Sequence, residues 1–259
     1  MIILLYILII LLATISGAIT GLGGGVIIKP LFDAIGYHDA ASIGFYSSVA
    51  VFTMCIVSIY KQMRNEFNFN RNILWTISFG SVLGGLLGEK IFNLFTSFLD
   101  NNIIKIIQSS LLGITLLCIL LYTINKRKIK HYKIKNLVAT FFIGVFLGTI
   151  SIFLGIGGGP LNVAVMMLLF SLNIKSSTIY SIATIFFSQI SKLTTLFIEG
   201  KVFDFDLKFI PYIIVSAIIG GWIGTLINQK LNSRNIERLY NLLMILLLCV
   251  SIYNITVNI

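Results

Sequence analysis

The sequence predicts an all-α integral membrane protein made of two homologous repeats in inverted orientation. Each repeat opens with a glycine-broken first helix or hairpin and continues with three spanning helices. Three observations lead there. Only 11% of the 259 residues are charged and 57% are hydrophobic, whereas a soluble domain carries roughly 25% charged residues. The apolar residues fall into runs of about 20 divided by short polar connectors; about 20 helical residues are what a hydrocarbon core of about 30 Å requires. Finally, a set of glycine-rich landmarks occurs twice, in the same order.

Residues 1–20 lack a basic n-region, and their apolar run continues past any plausible cleavage point, so they read as mature structure rather than a leader. Residues 2–35 are too long for one perpendicular span. They are interrupted by Gly21-Leu22-Gly23-Gly24-Gly25. Glycine costs about 1 kcal/mol against alanine inside a helix, so consecutive glycines unwind it. In lipid the freed backbone groups must find partners in protein, water or ligand. The region therefore reads as a longer helix, an unwound turn and a short half-helix. Residues 41–60, 72–95 and 104–124 then each read as one span. The stretch 125–135, NKRKIKHYKIK, is the most basic in the chain and the natural join between halves. Residues 136–172 repeat the long broken pattern around Gly155-Ile156-Gly157-Gly158-Gly159, and 177–198, 208–228 and 236–256 are the remaining spans. The division is thus a first transmembrane repeat at 1–124, a connecting loop at 125–135 and a second repeat at 136–259.

The duplication rests on four landmarks. The GxGGG runs and the pairs Tyr46-Ser47 and Tyr180-Ser181 are 134 residues apart. Phe67-Asn68-Phe69-Asn70 and Phe203-Asp204-Phe205-Asp206 are 136 apart, as are Gly84-Gly85-x-x-Gly88 and Gly220-Gly221-x-x-Gly224. Charge separates two topologies. If each broken region crosses once, the chain has eight spans and its Lys/Arg divide 11 against 6. If each is a down-and-up hairpin, there are ten segments and inverted halves. Loops 61–71, 125–135 and 230–238, with Lys175, then carry 13 Lys/Arg against 4 opposite. The positive-inside rule favours the hairpins, with both termini outside.

The glycine breaks are the leading candidate site. Unwound backbone beside half-helix N-termini presents N–H donors and a partial positive charge, which suits a small anion. Gly21, Gly23, Gly24, Gly25, Gly155, Gly157, Gly158 and Gly159 are therefore expected to line it. The GGxxG runs suit close helix packing instead. Lys192 lies inside an apolar segment, where a cation marks function by default; snorkelling towards the membrane edge near Glu199 is its alternative reading. Lys29, four residues beyond the first break, either faces the same site or caps its half-helix. Ser47, Ser181 and Asn162 are neutral polar groups beside the duplicated landmarks. Asp33, Glu89 and Glu199 lie near segment ends, so no carboxylate pair is expected at membrane depth.

Other classes fit poorly. The net charge of +10 comes from short clusters rather than one basic face, against nucleic-acid binding. His38, His131, Cys55, Cys118 and Cys249 show no metal-ligand spacing. No Ser/His/Asp or Cys/His set supports an enzyme, a nucleotide loop would need a β-strand before its glycines, and no cofactor or metal is expected.

The duplicated Gly21-x-Gly-Gly-Gly with Pro30, Gly155-x-Gly-Gly-Gly-Pro160 and the GGxxG helix of each half resemble the sulfite exporter TauE/SafE family over essentially the whole chain. That resemblance implies a multi-pass cell-membrane transporter of small, often sulfur-containing anions such as sulfite or sulfonates. Pro160 directly follows its glycines while Pro30 comes five residues after, so the two half-sites are not equivalent. The expectation is a secondary transporter working by alternating access, with an anion channel as the alternative and a membrane scaffold third. Its partners are the anion and the bilayer; coupling to a proton or another ion, and assembly into a homo-oligomer, are compatible with this reading.

Overall fold

Ten α-helices account for most of the chain in the computed structural model, which describes residues 2–64, 70–126, 128–129 and 132–258. In order they are α1 (Ile2–Thr20), α2 (Gly25–Ile35), α3 (Ala40–Arg64), α4 (Arg71–Phe98), α5 (Asn101–Asn125), α6 (Leu137–Phe153), α7 (Gly159–Phe170), α8 (Ile174–Ile198), α9 (Ile210–Lys230) and α10 (Ser233–Asn258). No strand occurs among the described residues. The landmark residues 67–69 and His131 lie outside them.

Among the described residues, six helices are long and apolar enough to cross a membrane: α1, α3, α5, α8, α9 with its preceding turn, and α10. α4, read from the sequence as a span over 72–95, is one continuous 28-residue helix but is not among these six. Its length suffices; the serines, glycines, Glu89, Lys90 and Asn93 along it lower its apolar content. The outer surface agrees with a lipid setting. Leu12, Phe79, Ile114, Phe142, Val215 and Ile252, on six different helices, are each more than half exposed, a display that soluble monomers avoid.

Polar side chains set the helix starts. Asn70, Asn136 and Asn173 accept hydrogen bonds from the first-turn amides of α4, α6 and α8, satisfying donors that have no partner inside the helix. α2 ends on Gly36 in the left-handed region, whose N–H donates back to the carbonyls of Phe32 and Asp33.

Each broken region turns back on itself. The Tyr6 ring stacks on Phe32 at 3.9 Å, so α2 returns along α1. In the second region, the amides of Tyr132 and Ile134, just before α6, donate to the carbonyls of Leu168 and Leu169 at the end of α7. The two ends of the bundle are defined by similar contacts. At the first end, Asn101 accepts from the Ala40 amide and His38 packs against Phe209. At the second, Lys175 Nζ donates to the carbonyls of Gln229 and Leu231.

Glycine stripes hold the helices together. A Cβ at Gly80, Gly84 or Gly88 of α4 would land on the carbonyls of Phe141, Val145 or Thr149 of α6, and one at Gly224 of α9 on the carbonyl of Ile15 of α1. Backbones touching this closely gain dispersion and weak hydrogen bonding that a larger residue would forfeit.

Candidate functional site

The two breaks adopt the same backbone. In each run the glycines at positions one, three and four have positive φ: 79°, 82° and 70° at Gly21, Gly23 and Gly24, and 66°, 76° and 68° at Gly155, Gly157 and Gly158. L-residues resist that region, which is why the motif spares only its second position, Leu22 or Ile156. The glycines at the fifth position serve a different purpose. A Cβ on Gly159 would land on the Leu22 carbonyl, and one on Gly25 would lie 2.7 Å from the Ile156 carbonyl oxygen and 2.9 Å from Ser47 Oγ. The hairpin tips therefore meet, each against the unwound backbone of the other.

Gly23 and Gly157 share one spot, both facing Val51 of α3 and Ile185 of α8. Their amides donate to no protein acceptor among the described residues. Ser181 Oγ donates to the Gly21 carbonyl at 2.7 Å, with the Gly159 carbonyl at 3.4 Å, and so ties α8 to both breaks. Asn162 and Gln189 are buried nearby, and each has a side-chain carbonyl oxygen with no partner. Gly24 and Gly158 face the outgoing arms of their own hairpins, against Ala13 and Ser151.

Two ion pairs lie in the interior. Lys29 Nζ and Asp33 Oδ2, one turn apart on α2, are 3.4 Å apart; Lys192 Nζ on α8 and Glu89 Oε2 on α4 are 3.9 Å apart. All four side chains are at most 4% exposed. Charge-assisted hydrogen bonds run to about 2.7–2.9 Å, so both pairs are loose, and Lys29 Nζ, Asp33 Oδ1 and Glu89 Oε2 make no hydrogen bond. Lys192 Nζ donates instead to the Gly44 carbonyl at 3.4 Å. Lys29 lies against the second break, where a Cβ at Gly155 would be 3.1 Å from its Cδ, and Gly44, which holds Lys192, is the next neighbour at 3.8 Å.

Among the described residues, the two ends differ in access. A cavity of about 310 Å³ opens at the first end, with Asp39, Ser42, Asn93 and Lys201 in its wall, and it reaches down to Lys192 and Glu89. Towards the second end, Gln62 Nε2 donates to Asn228 Oδ1 at 3.2 Å and Asn228 Nδ2 to the Ile19 carbonyl at 2.6 Å. Thr225 Oγ1 bonds Ser58 Oγ at 2.9 Å beside them. A smaller cavity of about 160 Å³, walled by Gln62, Lys175 and Gln229, lies beyond this seal.

Every residue that the sequence put forward as lining the site is buried. Lys192 reaches inward to Gly44 and does not snorkel. Glu89 is the main correction. Read as lying near a segment end, it sits nine residues before the end of α4, whose helix runs on to Phe98, and it faces Lys192. Asp33 does lie near a segment end, two residues before the end of α2, but it is buried there as the partner of Lys29, an i,i+4 pairing that was legible in the sequence. Gln189 was legible only as one of several neutral polar residues at membrane depth, beside Lys192, and Gly44 carried no signal. Among the described residues no three His, Cys, Asp or Glu side chains are placed to share a metal ion.

Comparison with known proteins bears on the class of the chain. A family model described as sulfite exporter TauE/SafE matches residues 6–253. The chain is 27% identical to a probable membrane transporter protein of Methanocaldococcus jannaschii, over 86% of this chain and 85% of that protein. It is 26% identical to the probable membrane transporter protein YunE of Bacillus subtilis, over 94% of each. No solved structure matches.

Proposed function

The chain belongs to the sulfite exporter TauE/SafE family, and from that premise we propose that it carries a small sulfur-containing anion, sulfite or an organosulfonate, by alternating access. At the coarser level it is a multi-pass membrane transporter. The observation that carries the finer reading is Lys192: a buried, loosely paired cation at the floor of a cavity open to one end only. An anion entering there meets Lys192, with Gly44, the second break and Lys29 behind it. A buried ammonium that an anion can claim from its loose partner offsets the cost of stripping water from that anion.

The inverted repeat belongs to the same proposal, with halves 1–124 and 136–259 joined by 125–135. Reciprocal contacts support it. Tyr46 OH donates to the Asp206 carbonyl at 3.0 Å, while Tyr180 OH accepts from the Asn70 amide at 2.6 Å. These are the duplicated landmarks, each half engaging the other. α4 packs on α6 as α9 packs on α1, and both hairpins return to the end from which they start. On this arrangement the 13 Lys/Arg of the charge count fall at the second end, which is then cytoplasmic. Rocking of one repeat against the other would open the Gln62–Asn228 seal and close the cavity above Lys192. The open first end and sealed second end favour a carrier over the anion-channel alternative.

A thermal-shift screen with sulfite, sulfate, thiosulfate, sulfoacetate and taurine tests the substrate class, because a ligand bound only by the folded state stabilises it according to occupancy. Counterflow of labelled sulfite in proteoliposomes tests the mechanism: a carrier exchanges label, and a channel only dissipates the gradient. Absence of stabilisation by every sulfur anion, together with absence of exchange, refutes the proposal.

A further inference from the structure

We propose that Glu89 is an internal counter-anion: it neutralises Lys192 while the site is empty, gives way to the substrate, and thereby lets the unloaded carrier return without cargo. The inference rests on the transport reading above and deepens it.

Three observations support it. First, the pair is buried yet unlocked. At 3.9 Å it lies outside hydrogen-bond reach, and Glu89 Oε2 has no other partner. An ion pair kept for rigidity is expected to have its remaining lone pairs satisfied. Second, the pair forms the floor of the open cavity, so an anion coming from the first end reaches Lys192 and Glu89 together. The other charged groups in that cavity's wall are Asp39, Lys201 and Asp204, and Lys201 is engaged by Glu199 at 2.7 Å. Asp33 is engaged with Lys29. Third, the scaffold does not need charges there. At the offsets of the duplicated landmarks, Lys192 corresponds to Ser58 and Glu89 to Thr225, and these two hydroxyls bond each other at 2.9 Å. A neutral pair holds α3 to α9 at the equivalent place. The charges on α8 and α4 are an addition that packing does not explain.

The consequence concerns the empty carrier. Passing through a closed state removes water from Lys192. With Glu89 beside it the site is neutral and the passage is allowed; without Glu89 a lone buried cation resists it. When sulfite binds Lys192, the displaced carboxylate turns into the water of the cavity.

Glu89→Gln in proteoliposomes tests this, with wild type alongside. Removing a like charge beside the site is expected to tighten sulfite binding about tenfold. Counterflow of labelled sulfite should persist, because exchange never requires the empty carrier to return. Net sulfite efflux should fall at least about tenfold relative to exchange. A merely structural role would lower both together. An unchanged ratio of net efflux to exchange, or loss of counterflow in a variant that still binds sulfite, overturns the inference. Should Glu89→Gln fail to fold, Glu89→Asp withdraws the carboxylate by one methylene and should lower the same ratio by a smaller factor; an unchanged ratio again overturns it. A wild-type protein that neither binds nor exchanges sulfite refutes the transport reading and this inference with it. A working wild type beside an unaltered ratio refutes the inference alone.

Discussion

The meeting of the two glycine breaks makes a quantitative prediction at Gly159. This residue opens α7 with an ordinary helical φ, so alanine there carries no conformational penalty. The penalty is steric. The added Cβ falls on the Leu22 carbonyl of the opposite break, and with backbone on both sides no side-chain rotation relieves it. Overpacking costs about 1–3 kcal/mol, and a backbone collision belongs at the top, about 3. Gly36→Ala is the matching control: its φ is 69° but nothing lies within 4 Å of the new Cβ, leaving only left-handed strain of about 1 kcal/mol. For a chain of this size 1 kcal/mol is about 2–4 °C. Thermal unfolding in detergent should therefore fall by roughly 6–12 °C for Gly159→Ala and roughly 2–4 °C for Gly36→Ala. Transport should be lost only in the former, because the collision separates the breaks that frame the site. Gly159→Ala that melts within about 2 °C of wild type, or transports at the wild-type rate, would refute the contact between the breaks.

Lys192→Gln should weaken sulfite binding at least tenfold, about 1.4 kcal/mol, and lower the melting temperature by leaving Glu89 buried without its partner. Lys192→Gln/Glu89→Gln should restore stability but not binding, and binding at wild-type strength in either variant removes Lys192 from the site. Asn228→Ala breaks the seal at the second end at a cost of about 1–3 kcal/mol to the closed arrangement; a cysteine at Ser58 should then react faster with a thiol reagent applied from the cytoplasmic side, and unaltered labelling counts against the seal. For topology, a C-terminal tag should be accessible on intact cells in a background lacking Cys55, Cys118 and Cys249, whereas labelling only after lysis restores the eight-span arrangement. Gly84→Leu should prevent folding by forcing α4 off α6, while Gly113→Leu, whose nearest neighbour is Ser251 at 3.8 Å, should express normally.

Much of this was written locally in the chain. Helix length, apolar content and the positions of the breaks depend on residues close in sequence, so the membrane class and both GxGGG turns were readable without coordinates. Positive φ at positions one, three and four of the motif follows from the motif itself. The GGxxG runs likewise announced close packing, though not which helix would fill them. The site was different. Lys192 and Glu89 are 103 residues apart and meet only because α8 and α4 come from different halves and cross there. Glu89 looked marginal in sequence because a charge pair, Glu89-Lys90, resembles the end of a span, and only the continuation of α4 to Phe98 places it inside. Whether Lys192 snorkels or turns inward is decided by the rotation of α8 and by Gly44, whose missing side chain leaves the carbonyl open to Nζ. The sequence by itself determined the lipid-embedded helices and their two breaks, since solvent preference and backbone strain act residue by residue. Tertiary structure alone decided which charges share a cavity, because that depends on how helices distant in the chain are rotated and crossed.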